Sequence, residues 1–255
     1  MTLIIGVKCQ DGIVIGADSL TTYGSKIEQE VSDKIQFIAP DAVIANAGAV
    51  GLSQLINDEL RKCWDNVRMK QDANNAKNEI SRIMWSQISA AMERADEAHK
   101  RLGERVLDSV RCHSLVALPV DNSHLLLFYD ESAQPTEITF ESTFFSIGSG
   151  SLQADPFLAF IKRILWRNSA PNNMAEGIFS VLWTLEHVSR VNAGLGVGGR
   201  SNVFVLKTLD NVWTAEKLSK HDLDEQLIAI PVAENYMGEF RHYFSPDWNV
   251  GGIKQ

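Results

Sequence analysis

The feature that most constrains the fold is a series of short apolar runs within the first fifty residues. The run over 3–8 carries apolar side chains at both odd and even positions, which is typical of a strand covered on both faces. An Asp-Gly turn signal at 11–12 and a second run over 13–15 predict an antiparallel hairpin. Two further runs, 35–38 and 42–47, predict a second strand pair.

Helical and extended patterns alternate through the rest of the chain. Apolar side chains spaced three and four residues apart predict four helices: 51–69, 75–102, one that starts at Asp155-Pro156, and one that follows 172–173. Continuous or alternating apolar runs predict further strands: 114–118, 125–129, 140–147, 203–206 and 212–215. Two pairs of helices interleaved with two blocks of strands indicate an α+β protein in which helices pack outside two stacked sheets.

Composition argues against several classes of function. The 255 residues are 45% hydrophobic and 22% charged, which is enough for a sizeable core, and the net charge of -8 disfavours nucleic acid or an anionic membrane as main partner. The chain lacks both an apolar run near the ~20 residues of a membrane span and a signal-peptide pattern at its N-terminus. Three widely spaced cysteines and six histidines without ligand spacing indicate neither metal nor cofactor. We therefore expect a cytoplasmic protein.

Five motifs stand at the ends of predicted elements. They are Thr2, Gly16-Ala17-Asp18, Asp33-Lys34-Ile35, Asn46-Ala47-Gly48 and Ile147-Gly148-Ser149-Gly150-Ser151. Their order and spacing resemble the β-type subunits of the proteasome and their bacterial relatives, which are N-terminal-nucleophile (Ntn) hydrolases. The resemblance spans roughly 2–208, is strongest to bacterial homologues without a propeptide, and implies a four-layer αββα sandwich. It also implies a closed homo-oligomeric ring that degrades peptides or unfolded proteins, with an unfoldase as a possible partner.

The residues in these motifs suit acyl-transfer chemistry. A threonine hydroxyl needs a base, and the α-amine of a terminal Thr2, with an unperturbed pKa of about 7.7–8.0, can serve as one. The Lys34 ammonium would favour the neutral amine, and Asp18 would hold that ammonium charged and oriented. The N–H of Gly48 suits an oxyanion, and Ser149 can assist. The matching family residues have these roles, so we expect removal of Met1 to expose the nucleophile.

One segment departs from the family pattern. Near the end of the fourth helix, family members carry an Asp and, three residues later, a Ser just before a glycine pair. Alignment on Gly198-Gly199 puts Gly194 and Val197 at those positions, and Asn192 lies out of register. The side chains that normally support the terminal amine and the hydroxyl are therefore missing. This departure predicts weakened or differently tuned catalysis, and loss of activity is an open alternative.

Three functional interpretations follow. The first is a threonine-type peptidase inside a self-compartmentalised homo-oligomer. The second is a catalytically silent proteasome-like ring, which the missing Asp and Ser favour. The third is an Ntn amidase acting on a small amide. Ser32, Asn46 and Val50 match positions that line the specificity pocket in the family, and they indicate a small or neutral substrate side chain.

The C-terminal region lies beyond the resemblance. We expect residues 1–216 to form the Ntn-hydrolase domain and 217–255 an aromatic-rich extension of the same domain. The aromatic side chains of this extension need burial, either on their own domain or across a subunit contact. We expect the part over 240–248 to contribute to assembly.

Overall fold

The computed structural model describes residues 2–23, 27–30, 34–68, 72–102, 110–121, 123–166, 171, 173–191 and 197–241. Its strands are β1 (Ile4–Cys9), β2 (Gly12–Ala17), β3 (Leu20–Tyr23), β4 (Ile27–Glu30), β5 (Ile35–Ala39), β6 (Ala42–Gly48), β7 (Cys112–Val120), β8 (Ser123–Tyr129), β9 (Pro135–Ile138), β10 (Phe144–Ile147), β11 (Asn202–Leu209) and β12 (Val212–Lys217). Its helices are α1 (Val50–Arg68), α2 (Ala73–Leu102), α3 (Ser151–Leu165), α4 (Met174–Val191) and α5 (Lys220–Glu239).

Two five-stranded sheets form the centre of the molecule. One has the order β10-β1-β2-β11-β12 and the other β5-β6-β7-β8-β9, while β3 and β4 form a separate pair. A buried apolar layer that includes Ile4, Ile15, Val43 and Leu115 separates the two sheets. Helices α1 and α2 cover the second sheet, and α3 and α4 cover the first. The predicted four-layer αββα sandwich is therefore confirmed.

Strand β1 lies inside its sheet and is buried on both faces, as its apolar pattern predicts. Leu3, Ile5 and Val7 contact the helix layer, whereas Ile4 faces the opposite sheet. The antiparallel register pairs Ile4 with Ile147 of β10. This pairing brings the start of β1 next to the Gly-Ser loop that follows β10.

The third helix begins earlier than predicted. It starts at Ser151, so Pro156 lies in its second turn and not in its first. A proline there removes the backbone hydrogen bond to the carbonyl of Leu152. Both residues are exposed, so water can hydrate that carbonyl and the helix continues through the proline.

The strand predicted over 140–147 is shorter in the structure, where it begins at Phe144. The Thr139 hydroxyl accepts hydrogen bonds from the N–H groups of Glu141 and Ser142, each at 3.3 Å, and this turn delays the strand. Strand β9, just before the turn, was not predicted.

The predicted C-terminal extension contains helix α5, which the sequence patterns did not reveal. The helix begins with a capping box in which Ser219 and Asp222 satisfy each other's backbone N–H. Residues 242–255 lie outside the described part of the chain, so the expected role of 240–248 in assembly stays a prediction. Every helix of the described residues is too short or too polar to span a lipid bilayer.

Candidate functional site

A cleft of about 770 Å³ opens between the two sheets near the start of β1. Four of the five predicted site residues line it: Thr2, Lys34, Gly48 and Ser149. They come from the start of β1, the start of β5, the end of β6 and the loop after β10. The fifth, Asp18, lies behind Lys34 and is bonded to it.

The Asp18–Lys34 pair is the best-defined polar contact of the site. Lys34 Nζ lies 2.6 Å from Asp18 Oδ1, and the residues are 9% and 4% exposed. The carboxylate also accepts the N–H of Leu3 at 2.8 Å and that of Gly198 at 3.2 Å. Lys34 Nζ donates a second hydrogen bond, at 2.5 Å, to the carbonyl of Leu20. These contacts fix the ammonium in place at the cleft wall.

Burial changes the acid–base behaviour of this lysine. Removal from water lowers the pKa of Lys34, and attraction to Asp18 opposes that change. Breaking a buried ion pair on one side leaves an uncompensated charge. The pair therefore acts as a unit in which each charge requires the other.

Backbone contacts on both sides hold Thr2 in position. In the chain that carries Met1, the amide N–H of Thr2 donates to Ser149 Oγ at 3.2 Å. The carbonyl of Thr2 accepts the N–H of Gly150 at 3.1 Å. Gly148 has a φ of 94°, and a Cβ there would collide with the Thr2 carbonyl oxygen. Only glycine therefore lets the loop approach Thr2 this closely.

Gly48 meets a similar constraint on the opposite wall. Its φ is 121°, and a Cβ would collide with the carbonyl oxygen of Arg111. That carbonyl accepts the N–H of Ala49 at 2.8 Å, and helix α1 begins at the next residue, Val50. Backbone N–H groups at a helix start favour negative charge, so this wall suits an oxyanion.

The loop that departs from the family pattern is only partly described. The side chain of Val197 is 4% exposed and packs in the apolar layer between the first sheet and helices α3 and α4. It adds no polar group to the cleft. Gly198 next to it contributes its backbone N–H to Asp18. Three other positions discussed from the sequence lie outside the described residues: Ser32, Asn192 and Gly194.

Asn46 and Val50, which the resemblance assigned to a specificity pocket, line the cleft, but the polar wall around Asn46 was not predicted. Asn46, Asn57 and Gln36 line this wall. Asn46 Nδ2 donates to Asn57 Oδ1, and Asn57 Nδ2 donates to Gln36 Oε1. Ser53 and Asn57, four residues apart, lie on one side of α1 beside its buried apolar stripe. The four-residue spacing indicates that Ser53 and Asn57 share one side of the helix, but it does not reveal which strand that side faces.

An aromatic wall was also missed. Phe128 and Phe145 stack with their ring centroids 4.4 Å apart, and the His113 ring meets Phe128 edge-on at 5.7 Å. His113 Nε2 lies 3.1 Å from Glu131 Oε1. The cleft therefore has one amide-rich wall and one aromatic wall with the His113–Glu131 contact at its edge.

The αββα sandwich with a threonine at one end of its cleft is the architecture of Ntn hydrolases of the proteasome type. The family model described as proteasome subunit matches residues 2–159, more than half of the chain. This protein belongs to the proteasome subunit family, as its motifs predict.

Curated relatives and solved structures agree with this assignment. The probable proteasome subunit beta type-1 of Encephalitozoon cuniculi is 37% identical over 60 residues, 24% of this chain and 30% of that protein. Proteasome subunit beta type-6 of Arabidopsis thaliana is 37% identical over 60 residues, 24% of this chain and 26% of that one. The chain thus matches less than a third of the length of either relative.

A solved structure described as Anbu (ancestral beta-subunit) from Yersinia bercovieri superimposes with a TM-score of 0.70 at 16% identity. The superposition covers 97% of this chain and 99% of that one. At this level of identity the likeness establishes a shared fold.

Proposed function

We propose that this protein is a threonine-type Ntn peptidase that cleaves peptide bonds inside a compartment built from its own copies. The observation that carries the proposal is the Lys34–Asp18 pair, 2.6 Å apart and buried, at the wall of a cleft that Thr2 also lines. A fixed ammonium beside a threonine lowers the pKa of the hydroxyl and keeps a terminal amine neutral. Sequence spacing and three-dimensional placement thus support the same chemistry.

The proposed reaction is acyl transfer and requires that the amine of Thr2 be free. Thr2 Oγ attacks the substrate carbonyl carbon while the amine takes the hydroxyl proton, and the N–H of Gly48 stabilises the oxyanion. The carbon–nitrogen bond then breaks, and the leaving amine receives the proton from the Thr2 ammonium. A water that loses its proton to the same amine attacks the ester, and Thr2 Oγ leaves with that proton as the hydroxyl.

Self-association is the second part of the proposal. Four apolar side chains of α5 and the residue after it are 50–69% exposed, which favours a subunit contact: Ile228, Val232, Tyr236 and Phe240. A closed ring would bury such surface without open-ended growth. Light scattering at micromolar concentration should give a mass several times 28.3 kDa, and a monomer of that mass would reject the ring. A cytoplasmic location, peptide or unfolded-protein substrates and an unfoldase partner are proposed on family membership alone.

One observation favours a second candidate, a catalytically silent ring. The buried, apolar Val197 stands where family members carry a serine, so one polar support of the nucleophile is absent. A silent ring would keep the scaffold and the assembly surface but would not react at Thr2.

Covalent labelling separates the two candidates. A peptide boronate or epoxyketone should label the protein once intact mass shows that Met1 has been removed. Thr2→Ala and a form that retains Met1 should stay unlabelled, because each lacks the hydroxyl or the free amine. Equal labelling of all three proteins, or failure to label verified Met-free protein, would reject the peptidase. Turnover of small amides without any peptide cleavage would replace it with the amidase.

A further inference from the structure

The cleft holds a pair of titratable side chains apart from Lys34 and its counter-ion. His113 and Glu131 both line it, and His113 Nε2 lies 3.1 Å from Glu131 Oε1. The two side chains are 39% and 36% exposed, so water and substrate can reach them. The reaction proposed above gives neither of them a role, which leaves an imidazole and a carboxylate available for chemistry in the cleft.

The carboxylate determines which nitrogen of the imidazole can act as a base. A lone pair on Nε2 would face an anionic oxygen at 3.1 Å, so in the neutral imidazole the proton is favoured on Nε2. Nδ1 then keeps its lone pair, and among the described residues it has no hydrogen-bond partner. An imidazole with a carboxylate at one nitrogen and a lone pair on the other is arranged as a general base.

Aromatic rings restrain the imidazole on its other side. The His113 ring meets Phe128 edge-on with the centroids 5.7 Å apart, and Phe128 stacks on Phe145 at 4.4 Å. Phe128 belongs to β8 in one sheet and Phe145 to β10 in the other, so the stack joins the two sheets beside the cleft. The imidazole is therefore held between a ring and a carboxylate and keeps a defined position.

The strand registers place His113 near the oxyanion wall. His113 of β7 lies opposite Ala47 of β6, and the next residue of β6 is Gly48. Strand β1 contacts β6 and β10 contacts β7, so the pair β1–β10 lies over the pair β6–β7. Thr2 precedes β1 and Gly48 ends β6, and both line the cleft with His113. An acyl group on Thr2 with its oxygen at Gly48 is therefore close to His113.

The alternation of side chains directs His113 and Thr2 into the gap between the sheets. Leu115, two residues after His113, and Ile4, two residues after Thr2, both lie in the buried layer between the sheets. Side chains two residues apart on an extended chain share a face, so His113 and Thr2 lie at the open end of this layer. Stacked sheets are about 10 Å apart, so a water in the gap can contact groups from both.

Resting on the proposed function, we propose that His113 is the general base that hydrolyses the acyl-enzyme and that Glu131 orients it. Nδ1 takes a proton from water while the water oxygen bonds to the acyl carbon, and the N–H of Gly48 stabilises the oxyanion. The bond between that carbon and Thr2 Oγ then breaks, and Oγ receives the proton from the imidazolium. The amine of Thr2 serves acylation, and His113 takes over its role in the second half of the reaction.

The two bases lie on different sides of the acyl group. The Thr2 nitrogen lies 3.2 Å from Ser149 Oγ, which follows β10 of one sheet, whereas His113 projects from β7 of the other. A water that approaches from the side of β7 therefore reaches His113 without displacing the contact between Thr2 and Ser149. Val197 removes one polar support of the nucleophile, so a base outside that support suits this chain.

The test separates acylation from hydrolysis of the acyl-enzyme. Met-free protein is mixed with excess peptide 4-nitrophenyl ester, whose good leaving group makes hydrolysis of the acyl-enzyme the slow step. The burst of 4-nitrophenolate then reports acylation, and the steady rate after it reports deacylation, with Thr2→Ala as background. His113→Gln should keep the burst and lower the steady rate by about 10²–10⁴-fold, as expected for a lost general base. Intact mass should show the acyl group retained on the protein.

A second variant, a control and a rescue sharpen the result. Glu131→Gln should also keep the burst and lower the steady rate at least about tenfold, because the imidazolium loses its stabilising charge. It serves too if His113→Gln fails to fold. His221→Gln, which alters a histidine 3.7 Å from Glu225 on α5, should change neither phase. Hydroxylamine needs no base to attack an ester, so it should clear the acyl group from His113→Gln as fast as from wild type.

The outcomes separate this inference from the proposed peptidase. An unchanged steady rate in His113→Gln and Glu131→Gln, after a normal burst, would overturn the inference and keep the peptidase. Parallel loss of burst and steady rate, without rescue by hydroxylamine, would also overturn it, because the side chain would then support the fold of the cleft. A verified Met-free wild type without any burst would reject the peptidase and this inference together.

Discussion

Two lysines are buried in the described part of the chain, and their surroundings differ at the two ends of β1. Lys8 and Lys34 are 5% and 9% exposed and lie toward opposite ends of β1, and burial lowers the pKa of both. Lys34 is bonded at 2.6 Å to Asp18, which is itself buried. Lys8 lies 3.7 Å from Glu137, a carboxylate 31% exposed on β9.

The surroundings of Lys8 indicate a structural role. Glu137 also binds Lys77 at 2.6 Å, so a single carboxylate serves two cations. The Lys8 ammonium lies 5.0 Å from the Phe140 ring centroid, which adds a cation–π contact. Lys8 does not line the cleft that Lys34 lines. A buried lysine with a shifted pKa is therefore not enough to mark a site, and the adjacent cleft with the proposed nucleophile Thr2 distinguishes Lys34.

The largest expected effect contrasts these lysines in turnover. In Met-free protein, Lys34→Met should lower kcat/KM on a fluorogenic peptide by about 10²–10⁴-fold, because it removes the charge that we propose activates Thr2. Lys8→Met should leave kcat/KM within about threefold, with Thr2→Ala giving the background rate. Equal losses in the two lysine variants, with both proteins folded by circular dichroism, would show that Lys34 has no role in turnover beyond that of any buried lysine.

The second effect concerns the two counter-ions. Asp18→Asn should cost about 3–5 kcal/mol of unfolding free energy, since it leaves the Lys34 charge buried without its partner. Glu137→Gln should cost less than Asp18→Asn, because the Glu137 carboxylate is 31% exposed and lies 3.7 Å from Lys8, so this pair is longer and partly screened by water. Urea unfolding at neutral pH measures both. Similar losses for the two variants would place the two ion pairs in equivalent environments.

The smallest effect is a pH dependence. Because the folded-state pKa of Lys34 lies below the ordinary value of 10.5, the lysine loses its charge, and turnover falls, at a lower pH than an ordinary lysine would give. The terminal amine must be neutral, so kcat/KM should first rise with pH and then fall along this alkaline limb.

Lys8→Met should leave the alkaline fall of kcat/KM at the same pH. Between the folded-state pKa and 10.5, the unfolded chain binds more protons at Lys34 than the folded chain does. The contribution of Lys34 to the free energy of unfolding therefore rises with pH in this window, while turnover falls. An alkaline limb at or above 10.5, or one that parallels loss of the fold, would assign it to something other than Lys34.

Local patterns predicted most of the fold and the positions of the chemical groups. The strand around β1 and the stripes of α1, α2 and α4 are periodic, and periodicity is a local property of the chain. Asp18 and Lys34 stand at ends of elements, and the structure brings them into contact. The start of α3 was predicted too late because Pro156 was assigned to the first turn. It lies in the second turn, where the carbonyl of Leu152 is left without its backbone hydrogen bond but is exposed to water. That exposure depends on the fold and not on the local sequence.

What the sequence did not show depends on contacts between distant segments. The hydrogen bonds of Asn46 join it to Asn57 and Ser114, which are 11 and 68 residues away. The constraint on Gly48 comes from the carbonyl of Arg111, the residue just before the neighbouring strand β7. These contacts are set by the pairing of β6 with β7 and by the packing of α1 on that sheet, and neither can be read from local sequence patterns.

The anchoring of Thr2 has a consequence for maturation. The residue is held through its carbonyl by Gly150 and through Leu3 by Asp18, and neither contact involves Met1. Excision of Met1 would therefore need no refolding of these contacts and would alter the chemistry of a single atom. The nitrogen that donates to Ser149 Oγ as an amide becomes an amine with a lone pair, which can accept the Ser149 proton instead. The forms with and without Met1 would then share one geometry. The inactive form would differ from the active one in the direction of the hydrogen bond between the Thr2 nitrogen and Ser149 Oγ.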